Sequence, residues 1–335
     1  MSISQIGYQS ALAIIMIALL VSIFLLIQPS YSTIISNNNN GSTTTNNSNS
    51  DVSKEVFVVD YANIRIQKFD TDGKFIAKWG SEGDGEGQFK IPHGIAVDSS
   101  GSSVYVTDMT GLSINKFTRN GEFITKWGSE GSGNGQFLHL HSIDIDSSGN
   151  VYVTDMQNFN IQKFTTDGKF IAKWGTEGDG NGKFMAPEGI AVDPFGNIFV
   201  SDTTNNNIQK FTSDGKFITS WGSKGDGQGQ LNSPAGIDVD SSGNLYVTDD
   251  GNSRIQKFTN NGDFITMWGS KGSGNGQLDR PHDIAVDSSG NNVYVAEQGN
   301  FQIQKFTSDG KFITKWGSEG SADNQFQDPH SVAVY

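Results

Sequence analysis

The sequence predicts an all-β fold, a six-bladed β-propeller of four-stranded antiparallel blades whose ring is closed by the C-terminal strand joining the N-terminal blade. Three observations predict it. All six tryptophans occupy one phrase, F-I-x-x-W-G, at Trp79, Trp127, Trp174, Trp221, Trp268 and Trp316, spaced 48, 47, 47, 47 and 48 residues apart. A fixed period of that size marks a repeat array. Each period holds four short β-prone segments separated by turn residues, and the last segment of the chain supplies a strand that the first period lacks.

The chain opens with a different kind of segment. Residues 11–27 form a 17-residue segment that is apolar except for Ser22, about 26 Å long as a helix and at the short limit for crossing a bilayer. Residues 1–32 are therefore expected to be a signal peptide or an N-terminal membrane anchor, with Pro29, Ser30 and Ser32 resembling a small-residue cleavage region. Either outcome places the rest of the chain outside the cytoplasm, secreted or held at the outer face of the membrane. Residues 33–55 are rich in Asn, Ser and Thr, and the stretch 36–50 has no apolar residue with which to build a core, so they read as a disordered tether. Asn40 and Asn46 stand in glycosylation sequons there.

The repeat array spans residues 56–335. In its third copy, I-D-I-D (143–146) is strand a, D-S-S-G-N is a turn, V-Y-V-T-D (151–155) is strand b, I-Q-K-F (161–164) is strand c, and F-I-A-K-W-G (170–175) is strand d. Alternation in strand d places Phe170, Ala172 and Trp174 on one face, and the Phe and Trp rows are expected between blades. A glycine between strands c and d recurs at Gly73, Gly121, Gly168, Gly215, Gly262 and Gly310, as a tight hairpin needing positive φ requires. The one-residue excess in two of the periods falls between strands a and b, where D-S-S-G-S-S-V and D-S-S-G-N-N-V replace D-S-S-G-N-V; hairpin tips absorb insertions and paired strands do not. Asp60, Asp108, Asp155, Asp202 and Asp249 close strand b, with Glu297 as the one substitute. Their carboxylates are expected to accept from backbone N–H groups of the following turn.

Residues 56–80 supply strands b, c and d alone, and the missing strand a is V-A-V-Y at 332–335. Closing the ring through both termini removes the exposed sheet edge between first and last blades, and a propeller closed in this way is expected to be monomeric.

Composition excludes several function classes. There is no cysteine, hence no disulfide framework, thiol nucleophile or thiolate metal site. The net charge is −13, of which Asp51, Lys54 and Glu55 account for −1, leaving −12 on residues 56–335. Such a field disfavours nucleic acid and anionic lipid. The repeated lysines of strand c (Lys68, Lys116, Lys163, Lys210, Lys257 and Lys305) are expected on a solvated face. The Gly-rich connections, such as residues 80–89, read as flexible crossovers with neither phosphate-loop nor EF-hand spacing.

The residues that carry candidate chemistry are histidines. His93, His141, His282 and His330 share one repeat position just before strand a, where the other two blades have Glu188 and Ala235. Strand a is innermost in a propeller, so these side chains are expected to ring one mouth of the central channel. Imidazoles with a carboxylate are suitable ligands for zinc or another divalent metal. His139 lies outside the ring position and is expected to be incidental.

The phrases P-H-G-I-A-V-D, V-Y-V-T-D, N-x-x-I-Q-K-F and F-I-T-K-W-G resemble NHL repeats over residues 56–335. The resemblance implies the propeller fold and a spread of functions, among them peptide- and RNA-binding modules, extracellular sensor domains and metal-dependent lyases. Within that spread, the lyase that completes peptide amidation carries zinc on histidines of alternate blades, which would be His93, Glu188 and His282 here. Tyr61, in Y-A-N-I-R, resembles the catalytic tyrosine phrase of those enzymes, and no arginine is matched to their catalytic arginine. The expected function is a scaffold binding a protein, peptide or glycan through its blade-connecting loops; the alternative is a metal-dependent lyase or hydrolase at the channel mouth.

Overall fold

The computed structural model describes residues 54–335, and the expected signal or anchor segment, the tether to residue 53 and both sequons lie outside the described residues. Six four-stranded antiparallel sheets surround a central axis. Blade 1 combines Pro329–Val334 as strand a with Glu55–Asp60, Arg65–Asp70 and Phe75–Trp79. Strand a of blades 2 to 6 is Pro92–Val97, Leu140–Ile145, Pro187–Val192, Pro234–Val239 and Pro281–Val286, and each inner strand contacts the next around a closed circle. Proline opens five of the six, at the first strand position, where its missing N–H disturbs the ladder least.

Strand b of blade 3 is Val151–Asp155, as expected, and strand a begins three residues earlier than expected, at Leu140. Glu55, expected to end the tether, is the first residue of a strand. Closure through the termini is direct: Val56, Phe57 and Val58 pair with Val334, Ala333 and Val332, and Glu55 and Tyr335 exchange backbone hydrogen bonds of 3.2 and 3.1 Å. Among the described residues the only helical element is a 3-10 turn at Asp250–Asn252, and no helix is long and apolar enough to cross a membrane.

The core is divided into six slabs, one between each pair of neighbouring blades. Phe57, Val59 and Ile66 of blade 1 pack on Ile95, Val104 and Phe117 of blade 2, and Tyr294, Ile303 and Trp316 of blade 6 pack on Val58 and Phe69 of blade 1. Each fully buried side chain of this size is worth about 1.5–3 kcal/mol, so the blades are held face to face by apolar burial. Phe170, Ala172 and Trp174 share the half-buried face of strand d while Ile171 and Lys173 are exposed.

Two expectations about connecting residues change. The strand-c lysines are not solvated: Lys68, Lys210 and Lys305 are 4%, 6% and 7% exposed. Each ammonium lies over the aromatic ring of strand b in its own blade, as Lys163 does at 4.9 Å from the Tyr152 ring centroid, and donates to a carbonyl in the next blade, Ser213 O at 3.1 Å. The cation therefore staples one blade to the next instead of facing water. The Gly-rich connections are ordered. Gly83 N and Phe89 O pair at 2.9 Å, and the Gln88 side chain accepts from Gly85 N at 3.0 Å; Gln136, Gln230 and Gln277 repeat that contact.

Candidate functional site

The two ends of the central channel differ. At one end the strand-a histidines meet. Rings of His141 and His93, of His93 and His330, and of His330 and His282 each stand 3.9 Å apart between centroids, so four imidazoles fill most of the opening as a packed plug. Hydroxyls of strand b set their backbone positions: Thr107 donates to His141 O at 2.7 Å, Thr154 to Glu188 O at 2.8 Å and Thr248 to His282 O at 3.1 Å. The void left among these residues is about 10 Å³, at the lower limit for one water. The channel is closed there.

Glu188 and His282 pair across the place where Ala235 leaves room, with Nε2 to Oε1 at 3.1 Å. His282 Nδ1 also lies 3.2 Å from the His330 carbonyl, so both ring nitrogens act as donors. Burial alone would lower its pKa, but the hydrogen bond and charge of Glu188 hold it above the usual imidazole range. His93, His141 and His330 are pushed well below that range by burial, reinforced by neighbouring histidines. His330 Nδ1 is buried without a partner. Tyr61 stacks on His330 at 5.1 Å and stands edge-on to His93 at 6.0 Å, its hydroxyl pKa raised by burial and by Asp328.

At the other end the channel widens into a cavity of about 300 Å³. Its wall is a collar of β-branched residues from every inner strand, such as Ile143, Ile237 and Val332, and it is broken by four carboxylates, Asp144, Asp238 and Asp283 on the inner strands and Asp98 just beyond one. Burial raises Asp144 to about 7, raises Asp238 well above the usual carboxylate range and raises Asp283.

The NHL-repeat family model matches residues 184–211, 231–258 and 278–306. A family model described as a 6-bladed beta-propeller matches residues 48–116 and 104–158. This chain is an NHL-repeat propeller. No curated protein sequence matches it. Among solved structures, one of a nidogen/laminin complex aligns with a TM-score of 0.62 and 17% identity over 84% of this chain and 98% of that one. A streptogramin B lyase aligns with a TM-score of 0.57 and 19% identity over 83% of each chain. The virginiamycin B lyase of Staphylococcus aureus, solved as a catalytically inactive histidine-to-alanine variant with quinupristin, aligns with a TM-score of 0.54 and 20% identity over 77% of this chain and 79% of that one. At these identities the likeness is one of fold.

The NHL propeller brings His93, His141, Glu188, His282, His330 and Tyr61 together at one mouth, as their shared repeat position implies. The rings pack on one another, His282 uses both nitrogens as donors, and among the described residues no three His, Asp or Glu side chains form a metal-binding group. The strand-b carboxylates are structural and reach further than expected: Asp108 accepts from Gly111 N in the following turn and from Lys90 N and Ile91 N of the preceding connection, at 2.8–3.0 Å.

Sequence reasoning missed several residues of this mouth. His139, expected to be incidental, stands 6.0 Å from the His141 ring. Arg280 shares the repeat position of His139 and Asp328, and its charge bears on Asp250, Asp328 and His330. The signal was available in the repeats. Two residues before each strand-a mouth residue the copies read Ile91, His139, Ala186, Ser233, Arg280 and Asp328, and directly after strand b they read Tyr61, Met109, Met156, Thr203, Asp250 and Gln298. These positions vary among copies whose strands are nearly identical.

Proposed function

We propose that the protein is a binding scaffold, exported or tethered at the outer face of the membrane, that receives a protein or peptide partner on the histidine-plugged mouth. The observation that carries this reading is the divergence of the copies at that mouth. A structural role repeats with the blade, whereas these positions place an aromatic (Tyr61), a cation (Arg280) and acids (Asp250, Asp328) at separate points around the ring. Such an asymmetric set on a rigid frame suits recognition of one partner in one orientation. The plug supplies a floor to the site. The apolar run at residues 11–27 supports the extracytoplasmic location. The nidogen/laminin complex lends support from a propeller of the same fold solved in a protein assembly.

Selection of binders from a random peptide library on the immobilised protein tests the reading. Peptides so obtained should bind Tyr61→Ala and Arg280→Ala variants at least tenfold more weakly. Retention of full affinity by both variants would refute a site at this mouth.

A metal-dependent lyase is a second reading, favoured by the stacking of Tyr61 on His330 and its edge contact with His93. It requires the imidazoles to turn away from one another to share zinc or a similar ion. Elemental analysis of the purified protein decides between the two: a stoichiometric metal lost in a His93→Ala, His282→Ala variant supports the lyase, and its absence in the parent removes it.

A further inference from the structure

We propose that the cavity at the end of the channel opposite the histidines binds a small aliphatic di- or triamine, its methylenes against the apolar collar and its ammonium groups on Asp144, Asp238 and Asp283. This proposal is independent of the partner site at the other mouth.

The first support is that the fold does not require these carboxylates. Asp144 and Asp238 occupy a repeat position at which the other four blades have Ala96, Ala191, Ala285 and Ala333, and those blades join the same ring. Asp283 likewise stands where the other copies have Gly94, Ser142, Gly189, Gly236 and Ser331. Where present, each carboxylate also ties its inner strand to the next. Asp144 accepts from Val192 N at 2.7 Å, Asp238 from Val286 N at 2.6 Å and Asp283 from Val332 N at 3.0 Å. Asp144 and Asp238 also accept from Ile145 N and Val239 N, both at 2.7 Å, and Asp283 from the Ser331 hydroxyl; a carboxylate offers about four acceptor positions, so part of that capacity is left for a ligand in the cavity.

The second support is the cavity itself. A space of about 300 Å³ with a β-branched wall and a few convergent polar groups has the make-up of a small-molecule site and lies at the small end of the range. The charged groups bearing on Asp238 are Asp144 and Asp283, and those bearing on Asp144 are Asp146 and Asp283, all acids, so ionising these carboxyls puts unbalanced negative charge in the cavity that a cation would offset.

The third support fixes the shape of that cation. The three acids sit on the inner strands of blades 3, 5 and 6 and do not form a group that could hold one metal ion. Separated charges on an apolar wall match separated ammonium groups joined by methylenes better than they match a point charge.

Isothermal titration of the purified protein with spermidine at pH 8 tests the proposal. The expected result is saturable one-to-one binding, weakened at least tenfold by Asp144→Asn and by Asp238→Asn. Asparagine keeps a carbonyl oxygen for the backbone N–H while removing the charge. Asp84→Asn serves as the control for diffuse attraction to an acidic protein, because its carboxylate is exposed and pairs with Lys90 in a blade connection; it should leave the affinity unchanged. Ile237→Phe, which fills the cavity without altering a charge, should also abolish binding and decides the matter if the asparagine variants fail to fold. Non-saturating heats, equal affinity in wild type and the Asp144→Asn or Asp238→Asn variants, or calcium binding in place of spermidine would each overturn the proposal.

Discussion

The indole of Trp316 in blade 6 lies flat against Gly73 in blade 1, so that a Cβ added to Gly73 would stand 2.5 Å from Trp316 Cδ2. The same contact joins Trp79 to Gly121, Trp127 to Gly168, Trp174 to Gly215, Trp221 to Gly262 and Trp268 to Gly310. Each tryptophan is thus read by the hairpin of the following blade, and the last is read by the first.

Gly73 meets two demands at once, a φ of +86° and the absence of a side chain under the indole. Gly73→Ala should therefore destabilise the ring by about 2–4 kcal/mol, the sum of a left-handed backbone penalty and overpacking. Chemical denaturation of the variant measures this, and a change below about 0.5 kcal/mol would show that the hairpin moves aside freely.

Removal of residues 329–335 takes away strand a of blade 1 and leaves Val56, Phe57 and Val58 without their inner pairing. The melting temperature should fall steeply and the truncated protein should associate through its open edge. An unchanged melting temperature and a monomeric elution profile would count against closure as a source of stability.

Lys163→Ala removes both a cation over the Tyr152 ring and a donor to Ser213 O. The expected loss is about 1–2 kcal/mol, against nearly nothing for Lys173→Ala on the exposed face of strand d. Comparing the two by thermal melting separates a blade staple from a solvated charge.

The carboxyl of Asp144, raised to about 7 by burial, binds a proton in the folded state that it has already released in the unfolded chain over the range from about pH 4 to 7. Folding stability attributable to this group therefore falls as pH rises through that range and is lowest above it. Asp144→Asn should flatten the dependence, by of order 2 kcal/mol between pH 5 and 8 once solvent in the cavity is allowed for. Parallel slopes of stability against pH in wild type and variant would show that Asp144 is not the titrating group.

Most of the fold was legible because each blade states the same instructions six times. The b and c strands, the glycine hairpins and the shared blade follow from period, alternation and turn chemistry. The lysines defeat a reading by residue type, which suggests solvent, although the antiparallel register that pairs Tyr152 with Lys163 already places cation beside ring. Clustering of the histidines was legible from their common position. Their packing as a plug was not, since it depends on how far the inner strands approach the axis. The acidic cavity was hidden in I-D-I-D, which reads as an ordinary strand until Asp144 is set against the alanines of its sister copies.

The histidine layer leaves no passage along the axis, so the propeller is a partition with two addressable sides. A partner held at one face and a small cation held at the other could occupy the protein together without exchanging places or solvent. Any influence of one upon the other would have to travel through the polypeptide. The most direct route is the inner strand of blade 6, where His282 belongs to the plug and its neighbour Asp283 borders both the small void among the histidines and the cavity on the far side.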